Sequence, residues 1–330
     1  GGTGCTDDYV AIIDGGTPAA YTPGTTVGTS ATSTIVIQGR RANCTAGSGC
    51  TGTNYVTLVS WTVNPIPTLT SPGPQTYCAD AMTTPITFSG TPMGVLVDVS
   101  GGAAIGLADQ TGLSVLPAFT AIAGTATVSF TPKANGCMGT PVQVTYTVNP
   151  RPNAGAILGG TAVCQGSTLP LSSNGLSDGT WSSNNGNATV GAATGIVTGV
   201  TAGTSLITYS VTDGNGCTSA TSVTITVDQQ VTAANAGGDQ SVCSDAFAVL
   251  AANTPGVGAG AWTVTGPSTL SSQFSSTSSP TATFTPAGGV GTYTLTWTIT
   301  NGTCVSSDDV IVNALSCLCQ SSDASAAAYN

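Results

Sequence analysis

The residues of this 330-residue chain best able to do chemistry are its eleven cysteines, and the chemistry they offer is oxidation to disulfides. A zinc site would need Cys-x-x-Cys pairs or histidines, and the sequence has neither. Thiols kept for bridging point to an oxidising, extracellular setting. Other reactive groups are sparse. All fourteen acids are aspartate, so with no Glu and no His the usual general acids and bases are mostly missing, and the sequence reads as a non-enzyme with no cofactor. The paired acids Asp7, Asp8 and Asp308, Asp309, with Asp178 and Asp213, could offer oxygens to calcium, but no dense ligand string accompanies them, and turn-forming or solvated aspartate is the preferred reading. Lys133, the one lysine, reads as a solvated loop residue and not as a crosslinking amine. Asn43, Asn187 and Asn301 begin glycosylation triplets of a kind that chance supplies in Asn- and Thr-rich chains. Gly288-Gly289 has no following Lys-Thr or helix to cradle a phosphate and reads as a turn.

The bulk composition narrows the partners. Four basic residues against fourteen acids give a net charge of −10, which excludes the cationic track that nucleic acid requires. A mean hydropathy of +0.26 and 40% apolar residues argue for a folded chain. No apolar run is long enough for a membrane helix. The start, Gly1-Gly2-Thr3-Gly4-Cys5, reads as a mature or excised segment. Forty-four Gly and eighteen Pro among Thr, Ser and Val favour strands joined by tight turns.

The cysteines also set a repeat. Cys78, Cys164 and Cys243 each follow a Gly-containing run and stand 86 and 79 residues apart; Cys50, Cys137, Cys217 and Cys304 each follow a Gly turn, at intervals of 87, 80 and 87. Two phased series imply tandem domains of about 80 residues. The divisions are 1–64 (a shortened β-sandwich), 65–150, 151–229, 230–314 and a cysteine-containing tail, 315–330. One internal bridge per domain is expected: Cys78–Cys137, Cys164–Cys217 and Cys243–Cys304, with Cys5 or Cys44 bonded to Cys50. Cys317 and Cys319 fit neither series and are candidates for joining the tail of one subunit to the first domain of the next.

Alternation supplies the strands. Val142, Val144, Tyr146 and Val148 alternate with polar residues, as do Val223, Ile225 and Val227, and Tyr293, Leu295, Trp297 and Ile299. Asp213-Gly214-Asn215-Gly216 and Asn301-Gly302 are hairpin turns. Prolines at Asn64-Pro65-Ile66-Pro67 and Asn149-Pro150-Arg151-Pro152 stiffen the joints, favouring a rod. Trp181 and Trp262, which follow Cys164 and Cys243, fit an immunoglobulin-like Cys-Trp-Cys order; Trp61 and Trp297 are further core tryptophans.

From Trp181-Ser182-Ser183-Asn184-Asn185 to Gly199-Val200-Thr201-Ala202-Gly203, the third repeat resembles bacterial Ig-like domains of the group 2 type. Asn235-Ala236-Gly237-Gly238-Asp239-Gln240 with Trp262-Thr263-Val264 resembles the PKD-like repeats of Bacteroidota surface proteins, as does Ile86-Thr87-Phe88 with Phe130-Thr131-Pro132. The resemblance covers most of 65–314. It implies all-β tandem Ig-like and PKD-like antiparallel sandwiches in secreted adhesins or surface filaments of a bacterial cell surface, exported by the type IX system. The C-terminal sorting domain usual for such cargo is not visible. The expected function is a structural fibre, filament or adhesin stalk that self-associates or continues a longer chain. The alternative is a module binding a surface glycan or an anchor protein.

Overall fold

The computed structural model describes residues 6–25, 27, 33–42 and 54–317. Every regular element among them is a strand, apart from the 3-10 turns Ala103–Ile105 and Ser271–Gln273. No helix there is long and apolar enough to cross a membrane. The chain divides into two units, Gly1–Arg151 and Pro152–Asn330, and among the described residues the first holds four sheets and the second five.

One plan recurs in three of the four sandwiches. A short lead strand lies beside the last, or closing, strand; the closing strand forms a hairpin with its predecessor, and a fourth strand completes the order. In the third sandwich this order is Ala162–Cys164, Thr218–Asp228, Gly203–Thr212, Thr180–Ser183. In the fourth it is Gln240–Cys243, Cys304–Leu315, Gly291–Asn301, Ala259–Thr265. In the second it is Gln75–Cys78, Val142–Asn149, Gly124–Ala134, Leu96–Ser100, with Gln110–Leu113 added at the far edge. The hairpins are antiparallel, but each lead strand pairs in parallel with its closing strand, in the registers Cys78 to Asn149, Cys164 to Asp228 and Cys243 to Leu315. The sandwiches are therefore not purely antiparallel. A long connection carries the chain from one edge of the sheet to the other, as a parallel pair requires.

The cores follow the alternation. In the second sandwich Val144, Tyr146 and Val148 point inward with Val128 and Phe130. In the fourth, Trp297 is fully buried, its ring centroid 5.0 Å from that of Trp262, and Phe274, Phe284 and Tyr293 continue the aromatic stack. Trp181 packs on Tyr209 in the third at 4.7 Å.

The first domain, called the first sandwich by its place in the repeat, is smaller, and its described residues form one sheet. Its sheet runs Ala19–Ala20, Thr6–Ile13, Ser33–Ala42, Val56–Val63, and among the described residues its buried cluster is Ala11, Ile35 and Ile37. Its closing strand, Val56–Val63, is a sheet edge with no lead strand among the described residues. Trp61 is consequently 50% exposed, which corrects its assignment to the core. Alternation aims the indole at the inner face, but nothing described there covers it.

Tyr146 gives the second core a pH signature. Its buried hydroxyl makes no hydrogen bond, and burial, followed by the charge of Tyr77, pushes its ionisation up to about 12. The folded chain thus keeps a proton that an unfolded tyrosine loses near pH ~10. This contribution to stability is fully present below that pH and is lost as pH rises toward the folded value. Absorbance titration is expected to show a late-ionising tyrosine that is lost in Tyr146→Phe, besides Tyr55, which its hydrogen bond to Asp8 also raises; simultaneous ionisation of all tyrosines would contradict the assignment.

Candidate functional site at the sandwich junctions

Parallel pairing decides where the cysteines stand. A lead-strand cysteine lies beside the last residue of the closing strand, at the end where the chain leaves the sandwich. A hairpin cysteine lies at the opposite end, where the closing strand begins. In the third sandwich eleven strand residues separate the level of Cys217 from that of Cys164, about 37 Å at ~3.4 Å per residue. A disulfide needs Cα atoms within ~7 Å. The same spacing separates Cys304 from Cys243 along Cys304–Leu315. The expected bridges Cys78–Cys137, Cys164–Cys217 and Cys243–Cys304 are therefore all corrected.

Cys164 instead bonds Cys304 of the following sandwich, with Cα atoms 5.0 Å apart, and Cys137 is a free thiol. Cys243 bonds Cys317, just past its own closing strand, with a Cα separation of 5.4 Å, so Cys317 is used within the chain and not between subunits. Cys78 and Cys217 are also disulfide-bonded. Cys5, Cys44, Cys50 and Cys319 lie outside the described residues.

Around Cys164–Cys304 the hairpin of the fourth sandwich docks on the exit end of the third. The Asp228 carboxylate accepts from Thr303 N at 2.6 Å and Thr303 Oγ1 at 2.8 Å, and Asn301 Nδ2 donates to Gln229 O at 2.8 Å. Gly302 is required here: its φ is +58°, and a Cβ would lie 2.2 Å from an Asp228 oxygen. The junction of the first and second sandwiches has the same layout without the bond. Asn64, just past the first closing strand, donates through Nδ2 to Asn135 O at 3.2 Å, and Cys137 lies two residues on. Sequence reading missed Asp228, Asn64 and this interlock; the available signal was that one cysteine series ends strands while the other begins them.

The remaining candidates are engaged elsewhere. Asp8 accepts from Tyr55 Oη at 2.6 Å and Arg40 Nε at 3.0 Å, bonds that hold its carboxyl below the usual range, Tyr55 contributing most. Asp308 accepts from Ala236 N at 2.8 Å. Asp7 and Asp309 join no ligand group with these, since no cluster of three or more His, Cys, Asp or Glu suited to a metal forms among the described residues. Lys133 pairs with Asp98, and this hydrogen bond lowers the Asp98 carboxyl further than any other contact does. Asn187 Nδ2 donates to Thr204 O at 3.1 Å, so the side-chain amides of Asn187 and Asn301 are both in use; Asn43 lies outside the described residues.

The chain is similar to tandem immunoglobulin-domain proteins. A three-domain titin Ig fragment carrying an E-to-A variant matches at 8% identity and TM-score 0.32, covering 76% of this chain and 99% of that one. Extracellular domains 3–5 of Drosophila OTK match at 11% identity and TM-score 0.32, covering 73% and 94%. Bacteroides ovatus SGBP-B of the mixed-linkage glucan utilization locus, in complex with a mixed-linkage heptasaccharide, matches at 19% identity and TM-score 0.21, covering 76% and 71%. No family model and no curated protein matches the chain.

Proposed function

We propose that the chain is a non-catalytic structural module of a bacterial cell surface, building an extracellular fibre, filament or adhesin stalk from disulfide-linked β-sandwiches of the Ig-like and PKD-like kinds. The observation that carries this reading is the Cys164–Cys304 bond, which spends both thiols on joining one sandwich to the next instead of closing either one. A binding module needs one well-formed domain, whereas a load-bearing array needs sandwiches that stay attached to each other. The exposed Thr-rich strand faces and the net charge of −10 keep such an array soluble. Export by the type IX system and end-to-end joining of copies belong to the same reading. Electron microscopy of the full chain without reductant is expected to show fibres with a regular repeat; dispersed single chains at every concentration would overturn the fibre.

A further inference from the structure

We infer that the Cys137 thiol of one copy of this chain exchanges with the Cys243–Cys317 disulfide of a second copy, so that the exit end of the other copy's fourth sandwich docks on the hairpin end of the second sandwich. The inference rests on the self-association proposed above and names its contact and its covalent step.

Cys164 and Cys304 show what a lead cysteine and a hairpin cysteine do where two sandwiches meet: they bond to each other and are buried, at 9% and 1% exposure. Cys137 and Cys243 stand in the same two positions and are used otherwise. Cys137, the hairpin cysteine of the second sandwich, is a free thiol and only half-buried. Cys243, the lead cysteine of the fourth, is bonded to the exposed Cys317 just past its own closing strand. Exposed apolar side chains flank both groups. Beside Cys137 lies a cleft of about 410 Å³ lined by Leu96 and Met138, which are 44% and 63% exposed. Beside Cys243–Cys317, Leu315, Phe247 and Val290 are each at least half exposed. Leu315 pairs with Cys243, Phe247 follows the turn in which Ala246 N donates to Cys243 O, and Val290 precedes Gly291, the partner of Ala314. Two apolar patches, one around a thiol and one around a disulfide, mark surfaces built to be covered, and the flexible Met138 side chain adapts to what covers it.

The exchange is redox-neutral and needs no outside oxidant. The Cys137 thiol gives up its proton and its sulfur attacks Cys243 Sγ; the 137–243 bond forms as the 243–317 bond breaks, and the electron pair leaves on Cys317, which takes up a proton. Cys317 is exposed, so its thiolate departs into water. The product repeats the pairing of Cys164 with Cys304, a lead cysteine bonded to the hairpin cysteine of another sandwich. The hairpin of the second sandwich is lightly held. The first sandwich reaches it through Asn64 Nδ2 donating to Asn135 O at 3.2 Å, whereas the third grips the fourth through Asp228, Gln229 and the disulfide. A docked second copy replaces the Asn64 contact. Each copy carries the thiol and the disulfide at different places, so the contact is heterologous and repeats from copy to copy.

The test follows the thiol. Isotopically light and heavy full-length chains, each isolated as single chains, are mixed without reductant or oxidant, capped with N-ethylmaleimide and digested without reduction. The expected product is a disulfide-linked peptide joining 137 to 243, with light–heavy pairs present, and one maleimide gained on Cys317 for each one lost from Cys137. Asn64→Ala is expected to speed the exchange by about three- to ten-fold, the effect of one lost hydrogen bond. Cys137→Ser is expected to abolish the link and leave Cys164–Cys304 in place. Copies that associate with the maleimide still on Cys137 overturn the exchange and leave the fibre reading intact. Single chains at all concentrations with Cys137 still free overturn both. A 137–243 link found only in all-light and all-heavy peptides overturns the second copy as the source, and a 137–317 link overturns the attack on Cys243.

Discussion

Replacing Cys164 and Cys304 together by serine is expected to lower the free energy of unfolding the third and fourth sandwiches as a pair by up to about 5 kcal/mol, with little change when either unfolds alone. The bridge joins residues 140 apart, and the chain-entropy model assigns ~5 kcal/mol to closing a loop of that size. That constraint restricts the unfolded chain only when everything between the two thiols is unfolded, because each sandwich keeps its own core while it stands. Urea unfolding should therefore change from a coupled transition to two separable ones, with the steepness of each set by the surface of one sandwich. Loss of coupling without loss of fold is the decisive signature. A double variant that unfolds at the wild-type midpoint and with the wild-type slope would show that the bridge contributes nothing beyond the Asp228 and Asn301 contacts around it.

Trp297→Ala is expected to cost about 3–5 kcal/mol and to unfold the fourth sandwich selectively. The indole is wholly buried, contacts Trp262, and lies so close to Gly260 that a Cβ there would meet its ring at 2.0 Å, so the surrounding sheet is shaped to it. Its partner strand Cys304–Leu315 also carries Cys304, so the loss should loosen the junction with the third sandwich as well. Near-ultraviolet dichroism together with proteolysis at the 304–315 strand would follow it. A loss below ~1 kcal/mol would mean that Trp262 and Phe274 collapse into the space, which the 5.0 Å and 6.1 Å centroid distances of an already filled stack argue against.

Much of the fold was legible because strand alternation is a local property. Val144, Tyr146, Val148, Leu295, Trp297 and Ile299 all point inward as their spacing predicts. The turn Asp213-Gly214-Asn215-Gly216 was equally plain, and Asp213 Oδ1 accepts from both Asn215 N and Cys217 N. The bridges were not legible, because cysteine phase reports a period and says nothing about strand direction. A parallel lead strand puts two cysteines of one repeat at opposite ends, and only that direction decides between closing a domain and joining two. Trp61 was misread for a related reason: burial depends on a neighbouring strand, and alternation shows which face a residue takes but not whether that face is covered. The calcium candidates Asp8 and Asp308 are held by Tyr55 with Arg40 and by Ala236 N, contacts set by pairing across distant sequence.

The Cys164–Cys304 bond also changes what happens when the chain is pulled from its ends. Tension arriving at Cys164 crosses the sulfurs to Cys304, and the 139 residues between them carry none of it. At ~3.4 Å per residue, that is roughly 470 Å of polypeptide that cannot be drawn out while the bond holds. Beyond Cys304 the load runs along the closing strand to Cys317, itself bonded to Cys243. The third core is thereby removed from the line of force, while in the fourth the load passes along one already extended strand: the covalent bond, and not the third sandwich, takes the strain.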